Sequence, residues 1–325
     1  MNTKEEIIRI LEQNSEYVSG EKISEFLHIT RTAVWKNINA LRNSGYSIES
    51  VTNRGYKLIA RPDKITPEEI ALGLKTKLLA KRIDCYDRID STNEEAKRKA
   101  LAGAPDGSLF VAEEQTGGKG RLGRSWTSPA GQGLWFTVLL RSSLLPSQAA
   151  NITLLAGLAV CRAIQRNTGC AAMIKWPNDI VIGSKKVCGI LTEMAAEMDR
   201  IEYMAVGIGV NVNNENFPEE LSVKATSLRL ESGSFIRRVP LLQEILFELE
   251  TVLKDFPLHT ESLLREYKSR CVSLNRRVGF IRENRKMVGV AEDISPSGEL
   301  IVRCDDGTKF PISSGEVTVQ GIYGE

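Results

Sequence analysis

Apolar positions along the first 62 residues recur with a helical period. Ile7, Ile8 and Leu11 make one stripe, and Ile23, Phe26 and Leu27 fall at i, i+3, i+4 to make a second. After a break at His28–Ile29–Thr30, the positions Val34, Ile38 and Leu41 fall at i, i+4, i+7, and Gly45 closes that helix. Two short helices, a tight turn and a third helix predict a helix-turn-helix. Tyr46–Val51 and Tyr56–Ile59 read as strands around Asn53-Arg54-Gly55, a hairpin turn. The hairpin makes the unit, residues 1–62, a winged helix.

Arg61-Pro62-Asp63 reads as a linker. Thr66-Pro67-Glu68-Glu69 then signals a new helix, with Thr as N-cap, Pro at the first helical position and Glu at the third. The pattern predicts helices over 67–74, 94–101, 147–168 and 240–269, and strands over 108–114, 134–140, 174–182, 187–195 and 202–212. That alternation describes a central α/β domain, residues 63–270. From 271 to 325 short runs (Val278–Ile281, Met287–Ile294, Leu300–Arg303, Lys309–Ile312) alternate with turns and predict a small antiparallel barrel. The fold class expected is α+β multidomain.

Composition narrows the class. The chain has 325 residues, 42% apolar and 26% charged, which fits two or three globular domains and excludes a disordered or fibrous protein. The longest apolar stretch, near Ile152–Cys161, falls short of the ~18 residues of a membrane span. The acidic, amphipathic N-terminus does not read as a signal peptide. Six scattered cysteines without a C-x-x-C, and only His28 and His259, argue against a zinc site and against a histidine-based triad. Reduced thiols and a cytoplasmic location are expected.

Charge is divided unevenly. Residues 1–29 carry a net of −3 and residues 30–62 a net of +5, a step that suggests an anionic partner. On the third helix Arg31, Thr32, Trp35, Lys36, Asn39 and Arg42 lie off the apolar stripe. Such side chains read base edges and hold phosphates in a major groove, and Arg54 at the wing tip would reach a minor groove. The alternative is a solvated helix face in a protein-interaction domain.

The densest chemical signal is Gly117-Gly118-Lys119-Gly120-Arg121-Leu122-Gly123-Arg124, four glycines and three cations in eight residues, followed by Ser125-Trp126. Glycines let backbone approach a ligand, and the cations would neutralise a carboxylate and phosphates. The G-x-G-x-x-G within it is not a dinucleotide fingerprint, because Ser128-Pro129 and a strand follow where a helix is needed. Lys175-Trp176-Pro177-Asn178-Asp179 places a proline in a strand-like run, which implies a bulge or an edge. Lys185-Lys186 follow in a turn before Val187-Cys188-Gly189-Ile190. Ser91-Thr92-Asn93-Glu94 is a capping box, a polar ligand site at a helix N-terminus, or both. Gly207-Ile208-Gly209-Val210-Asn211 is a buried strand whose terminal Asn is a cap or a ligand contact.

In order and spacing these clusters closely resemble the bifunctional biotin–protein ligase and biotin-operon repressor family, over essentially the whole chain. The resemblance implies a C-terminal domain of SH3-like type. It also implies that biotin and ATP give biotinyl-5'-AMP, with magnesium on the triphosphate, and that biotin then passes to a lysine of a biotin carboxyl carrier protein. By similarity Ser91, Thr92, Asn93 and Gln115 hold the biotin ring. Lys119, Gly120 and Arg121 cover the biotin chain and phosphates in a loop that orders on ligand binding. Arg124, Trp126, Asn178 and Asn211 serve the adenylate. Lys186 meets the carboxylate and the α-phosphate, with Arg121 as the second catalytic cation. Lys119 stands where the family commonly has Arg, keeping the charge and losing the fork geometry. The adenylate-bound protein would dimerise on operator DNA as a repressor. Two rivals remain: a winged-helix metabolite sensor without enzymatic activity, and a ligase for lipoate or another acyl group.

Overall fold

The computed structural model describes residues 3–141, 146–197, 200–283, 285–313 and 317–324. The chain forms two compact units, residues 1–73 and 74–325.

The first unit contains α1 (Thr3–Glu12), α2 (Gly20–Leu27), α3 (Arg31–Asn43), β1 (Ser47–Val51), β2 (Gly55–Ala60) and α4 (Pro67–Gly73). Ile7, Ile8, Leu11, Ile23, Val34, Ile38 and Leu41 meet in one core, as their periodicity predicts. Phe26 does not join them and is 72% exposed. On a helix Leu27 lies about 40° from Ile23, whereas Phe26 lies about 60° away on the other side. The core is on the Leu27 side. Thr30 caps α3 by accepting from the Ala33 N–H, and Thr66 caps α4 by accepting from the Glu69 N–H. Gly55 has a φ of +108°, and a Cβ there would lie 2.1 Å from the Val18 carbonyl oxygen, so the wing requires glycine. The buried carboxylate of Glu69 accepts from Tyr46 Oη and pairs with Arg61, which fastens α4 to this unit.

The second unit begins with β3 (Ile83–Ile89), α5 (Thr92–Leu101), β4 (Leu109–Gln115), β5 (Gly133–Leu140) and α6 (Ala149–Thr168). It continues with β6 (Ala172–Lys175), β7 (Asp179–Ile182), β8 (Lys185–Glu197), β9 (Arg200–Asn211), the short α7 (Glu219–Ser222) and α8 (Leu228–Ser232), then α9 (Arg238–Asp255) and α10 (Thr260–Ser269). The strands form one sheet of order β3-β4-β5-β9-β8-β7-β6, with β3 and β4 parallel and the other pairs antiparallel. Because side chains alternate along a strand, each face has its own helices. Tyr203 and Ala205 pack on Ala96 and Ala100 of α5. The opposite face meets α6, where Gly157 lies against Ile174, Ile180 and Ile190.

Last come β10 (Arg277–Arg282), β11 (Arg285–Ile294), β12 (Leu300–Cys304), β13 (Lys309–Ile312) and β14 (Thr318–Val319). They form the expected antiparallel sheet, of order β13-β12-β11-β10-β14, consistent with an SH3-like fold. It is pinned to the central sheet by Trp176 Nε1, which donates to the Gly298 carbonyl at 3.0 Å, and by Lys175 Nζ, which donates to Val317 at 3.0 Å.

Three expectations need correction. The helix over 240–269 is two helices, because Phe256 is extended and Pro257 has no N–H with which to continue α9. The strand over 174–182 is the hairpin β6–β7, turning at Trp176-Pro177-Asn178, and β6 is a sheet edge as its proline implied. The capping box at Ser91 is not formed. Ser91 makes no side-chain cap bond, and Glu94 instead accepts from Lys119 and Lys97, cationic partners stronger than a neutral N–H. Strands β3 and β14 were not predicted.

Candidate functional site

A cavity of about 590 Å³ opens on the α5 face of the central sheet. Every small-molecule residue expected from the sequence, from Ser91 to Asn211, lines it. Its floor is made of glycines. Gly189 and Gly209 are register partners on β8 and β9, and Gly207 follows on the same face. A Cβ on Gly209 would lie 2.6 Å from Trp126 Nε1, and one on Gly207 would lie 2.2 Å from Asn93 Oδ1. The strands therefore omit side chains where Trp126 and Asn93 lie.

One end of the cavity is a polar network of uncharged groups backed by one carboxylate, Glu193. The Thr92 N–H donates to Gln115 Oε1 at 2.8 Å, and Gln115 Nε2 donates to Ser128 Oγ at 2.9 Å. Asn93 Oδ1 accepts from Thr137 Oγ1 at 2.6 Å. Asn93 Nδ2 donates to Glu193 Oε2 at 2.8 Å and to the Leu191 carbonyl at 3.2 Å. Ser91, Thr92 and Asn93 are all buried. Thr137 and Glu193 were missed by sequence reasoning. Nothing in strand spacing marks either, since each is one more residue of a regular strand.

The basic segment is a hairpin rather than an irregular loop. The Trp126 N–H donates to the Gly118 carbonyl at 2.8 Å, and the Gly120 N–H to Arg124 at 2.7 Å. A single 3-10 turn, Arg121–Gly123, makes the tip. Lys119 pairs with Glu94 at 2.6 Å, and this hydrogen bond holds the Glu94 carboxyl below the usual carboxylate range. Arg121 Nη1 donates to Asn178 Oδ1 at 2.9 Å. Trp126 meets Trp135 edge-on, with ring centroids 6.3 Å apart.

Lys186 forms an ion pair with Asp179 at 2.6 Å, and its ammonium sits 5.1 Å from the centre of a Trp126 ring. Burial pushes the Asp179 carboxyl up. The charges of Lys186 and Lys175 and hydrogen bonds from Lys186 and Tyr323 more than reverse this, leaving it below its ordinary value. Asn178 Nδ2 donates to Ile190 on β8, and Asn211 Nδ2 donates to Thr226, so both amides also brace the cavity wall. Lys185 turns away and donates to the Ser222 carbonyl. Asp179 stood in the quoted motif without an assigned role, and Tyr323 gave no sequence signal.

In the first unit Arg31, Thr32, Trp35 and Lys36 are exposed along α3, whereas Asn39 and Arg42 are half-buried. Arg42 donates to the Ile48 carbonyl at 2.8 and 2.9 Å and to Ser50 Oγ at 3.0 Å, tying α3 to the wing. Arg54 lies over the Tyr17 ring at 4.6 Å.

Residues 85–211 match the Biotin/lipoate A/B protein ligase family, residues 3–57 an HTH domain, and residues 273–319 the Biotin protein ligase C terminal domain. A Bifunctional ligase/repressor BirA of Bacillus spizizenii is 40% identical over 312 residues, covering 94% of this chain and 95% of its own. The chain belongs to the bifunctional biotin ligase/repressor family. Another such ligase/repressor, from Escherichia coli, is 28% identical over 316 residues, 94% of each chain. Among solved structures, the biotin protein ligase from Aquifex aeolicus in complex with biotin and ATP is similar, with 31% identity and a TM-score of 0.63. That likeness covers 74% of this chain and 99% of the other. Among the described residues no helix of this family member is long and apolar enough to cross a membrane.

Proposed function

We propose that this protein joins biotin to ATP, giving biotinyl-5'-AMP and pyrophosphate, and passes biotin to a lysine of a biotin carboxyl carrier protein. The observation that carries the reading is the pair of cations brought to adjacent residues of one turn, Arg121 on Asn178 and Lys186 on Asp179, in a cavity whose other end is polar. The polar end, Thr92, Asn93 and Gln115, offers the donors and acceptors that a ureido ring needs. A lipoyl ring carries no N–H or C=O to meet them.

The chemistry follows from charge. The biotin carboxylate and the α-phosphate repel each other until fixed cations cancel the repulsion. Lys186 and Arg121 supply that charge and stabilise the phosphate oxygens in the transition state. A carboxylate is already a nucleophile at neutral pH, so no side chain has to take a proton. Magnesium arrives on the triphosphate. Among the described residues no group of three or more His, Cys, Asp or Glu is placed to hold a metal by itself, and the triphosphate oxygens are the natural donors. The 118–126 hairpin covers the adenylate and keeps water from it.

The decisive measurement is biotin-dependent exchange of labelled pyrophosphate into ATP, on wild type and Lys186→Ala. Exchange that requires biotin and is lost in the variant supports the reading, and a wild type inert with biotin refutes it.

The same protein acts as a repressor of biotin genes, with biotinyl-5'-AMP as corepressor. Arg31, Thr32, Trp35 and Lys36 face the DNA groove, Asn39 and Arg42 set the helix edge, and Arg54 is at the wing. Adenylate favours a homodimer on a two-fold operator because ligand ordering lowers the cost of assembly. Equal dimerisation constants with and without adenylate would remove this link. A cytoplasmic site of action fits six cysteines none of which forms a disulfide among the described residues.

A further inference from the structure

The C-terminal segment lines the cavity with Val317, Thr318 and Tyr323, and Tyr323 is the one whose side chain bonds to the catalytic turn. The Tyr323 N–H donates to the Ser184 carbonyl, in the turn between β7 and β8, at 2.9 Å. Tyr323 Oη donates to Asp179 Oδ2 at 2.7 Å. The Lys175 ammonium lies 4.8 Å from the centre of the Tyr323 ring, and Lys175 also donates to Val317 in the same segment. Tyr323 has a φ of +64°, a conformation that a residue with a Cβ keeps only when its surroundings hold it there.

Asp179 therefore serves two partners, Lys186 at Oδ1 and Tyr323 at Oδ2. In the ligase reading, on which this argument rests, Lys186 turns from Asp179 toward the biotin carboxylate and the α-phosphate. The turn would leave a carboxylate only 13% exposed without its closest counter-charge. The Tyr323 hydroxyl and the Lys175 ammonium are the groups that stay. We infer that Tyr323 is a positioning residue for the adenylation step: its hydrogen bond keeps Asp179 satisfied and so lets Lys186 leave. The C-terminal segment is then part of the adenylate-forming machinery.

Tyr323→Phe keeps the ring beside Lys175 and removes one O–H. The expected result is a fall of about tenfold in kcat for biotin-dependent pyrophosphate exchange, with the KM for biotin held within about twofold. Asp179→Asn removes the charge that needs support, and in that background Tyr323→Phe should change kcat by less than about twofold. An unchanged kcat for Tyr323→Phe in the wild-type background would overturn the inference, and so would an equal loss in both backgrounds. Wild-type protein without biotin-dependent exchange would overturn the ligase reading and this inference with it. Wild-type exchange beside a silent Tyr323→Phe removes only the role of Tyr323.

Discussion

A single methyl group at Gly207 should disable the polar end of the cavity. In Gly207→Ala the new Cβ would stand 2.2 Å from Asn93 Oδ1. Ordinary contact requires Asn93 to retreat by about 1 Å. Asn93 cannot do so freely, since Thr137, Glu193 and the Leu191 carbonyl hold it at 2.6, 2.8 and 3.2 Å in a buried position. One of those bonds is charge-assisted, at about 1.5–3 kcal/mol, and the two neutral ones contribute about 1 kcal/mol each. Relaxation recovers part of this, so a loss of about 2–4 kcal/mol is expected, shared between fold stability and biotin affinity. Calorimetric titration with biotin, beside thermal unfolding, separates the two. Asn93→Ser in the Gly207→Ala background removes the clash together with the three bonds, so it should recover only part of the stability and none of the affinity. Biotin binding by Gly207→Ala within about twofold of wild type would refute the glycine-floor argument.

Arg121→Gly removes the bond to Asn178 and uncovers the hairpin tip, so free biotinyl-5'-AMP should accumulate and non-acceptor lysines should become biotinylated; chromatography of the filtrate checks the first and blotting the second. Glu250 accepts from the N–H groups of Lys77, Leu78 and Leu79 at 2.7–2.9 Å. Burial raises its carboxyl, and these N–H groups bring it net below the ordinary value of 4.5. Its stabilising contribution is therefore complete above about pH 4.5 and is lost as pH falls through the depressed folded value. Glu250→Gln should cost about 2–3 kcal/mol at neutral pH and flatten the acid limb of a denaturation series. An unchanged acid limb would show that the three N–H groups do not set its titration.

Regular patterns were legible and long-range pairings were not. The period of Val34, Ile38 and Leu41 gave α3 because one face of a helix is one core contact. The glycine–cation segment was readable as a ligand site because no strand or helix favours that composition. Its hairpin was not readable, since it depends on Gly118 and Gly120 pairing with Trp126 and Arg124 across the turn. Strand β3, Ile83–Ile89, escaped because it is a half-exposed sheet edge with charges on it and no alternating apolar face. Phe26 was misplaced because a two-turn helix does not say which side of its stripe the core will take. The Ser-x-x-Glu at 91–94 misled for a different reason. Its local capping partner lost to Lys119, 25 residues on, which only the folded chain brings within reach. Tyr323 reaches Asp179 across 144 residues, a contact that no local pattern encodes.

The bond from Arg42 to the wing has a mechanical meaning. With its guanidinium clamped on Ile48 and Ser50, α3 and the β1–β2 hairpin form one rigid calliper rather than two independent fingers. The gap between the jaws is set when the unit folds, before any DNA is met. One inserted base pair moves the two contact points about 3.4 Å apart along the duplex, and also rotates one against the other. A calliper cannot stretch to follow, so the bases between the helix contact and the wing contact should be fixed in number even where their identity is free.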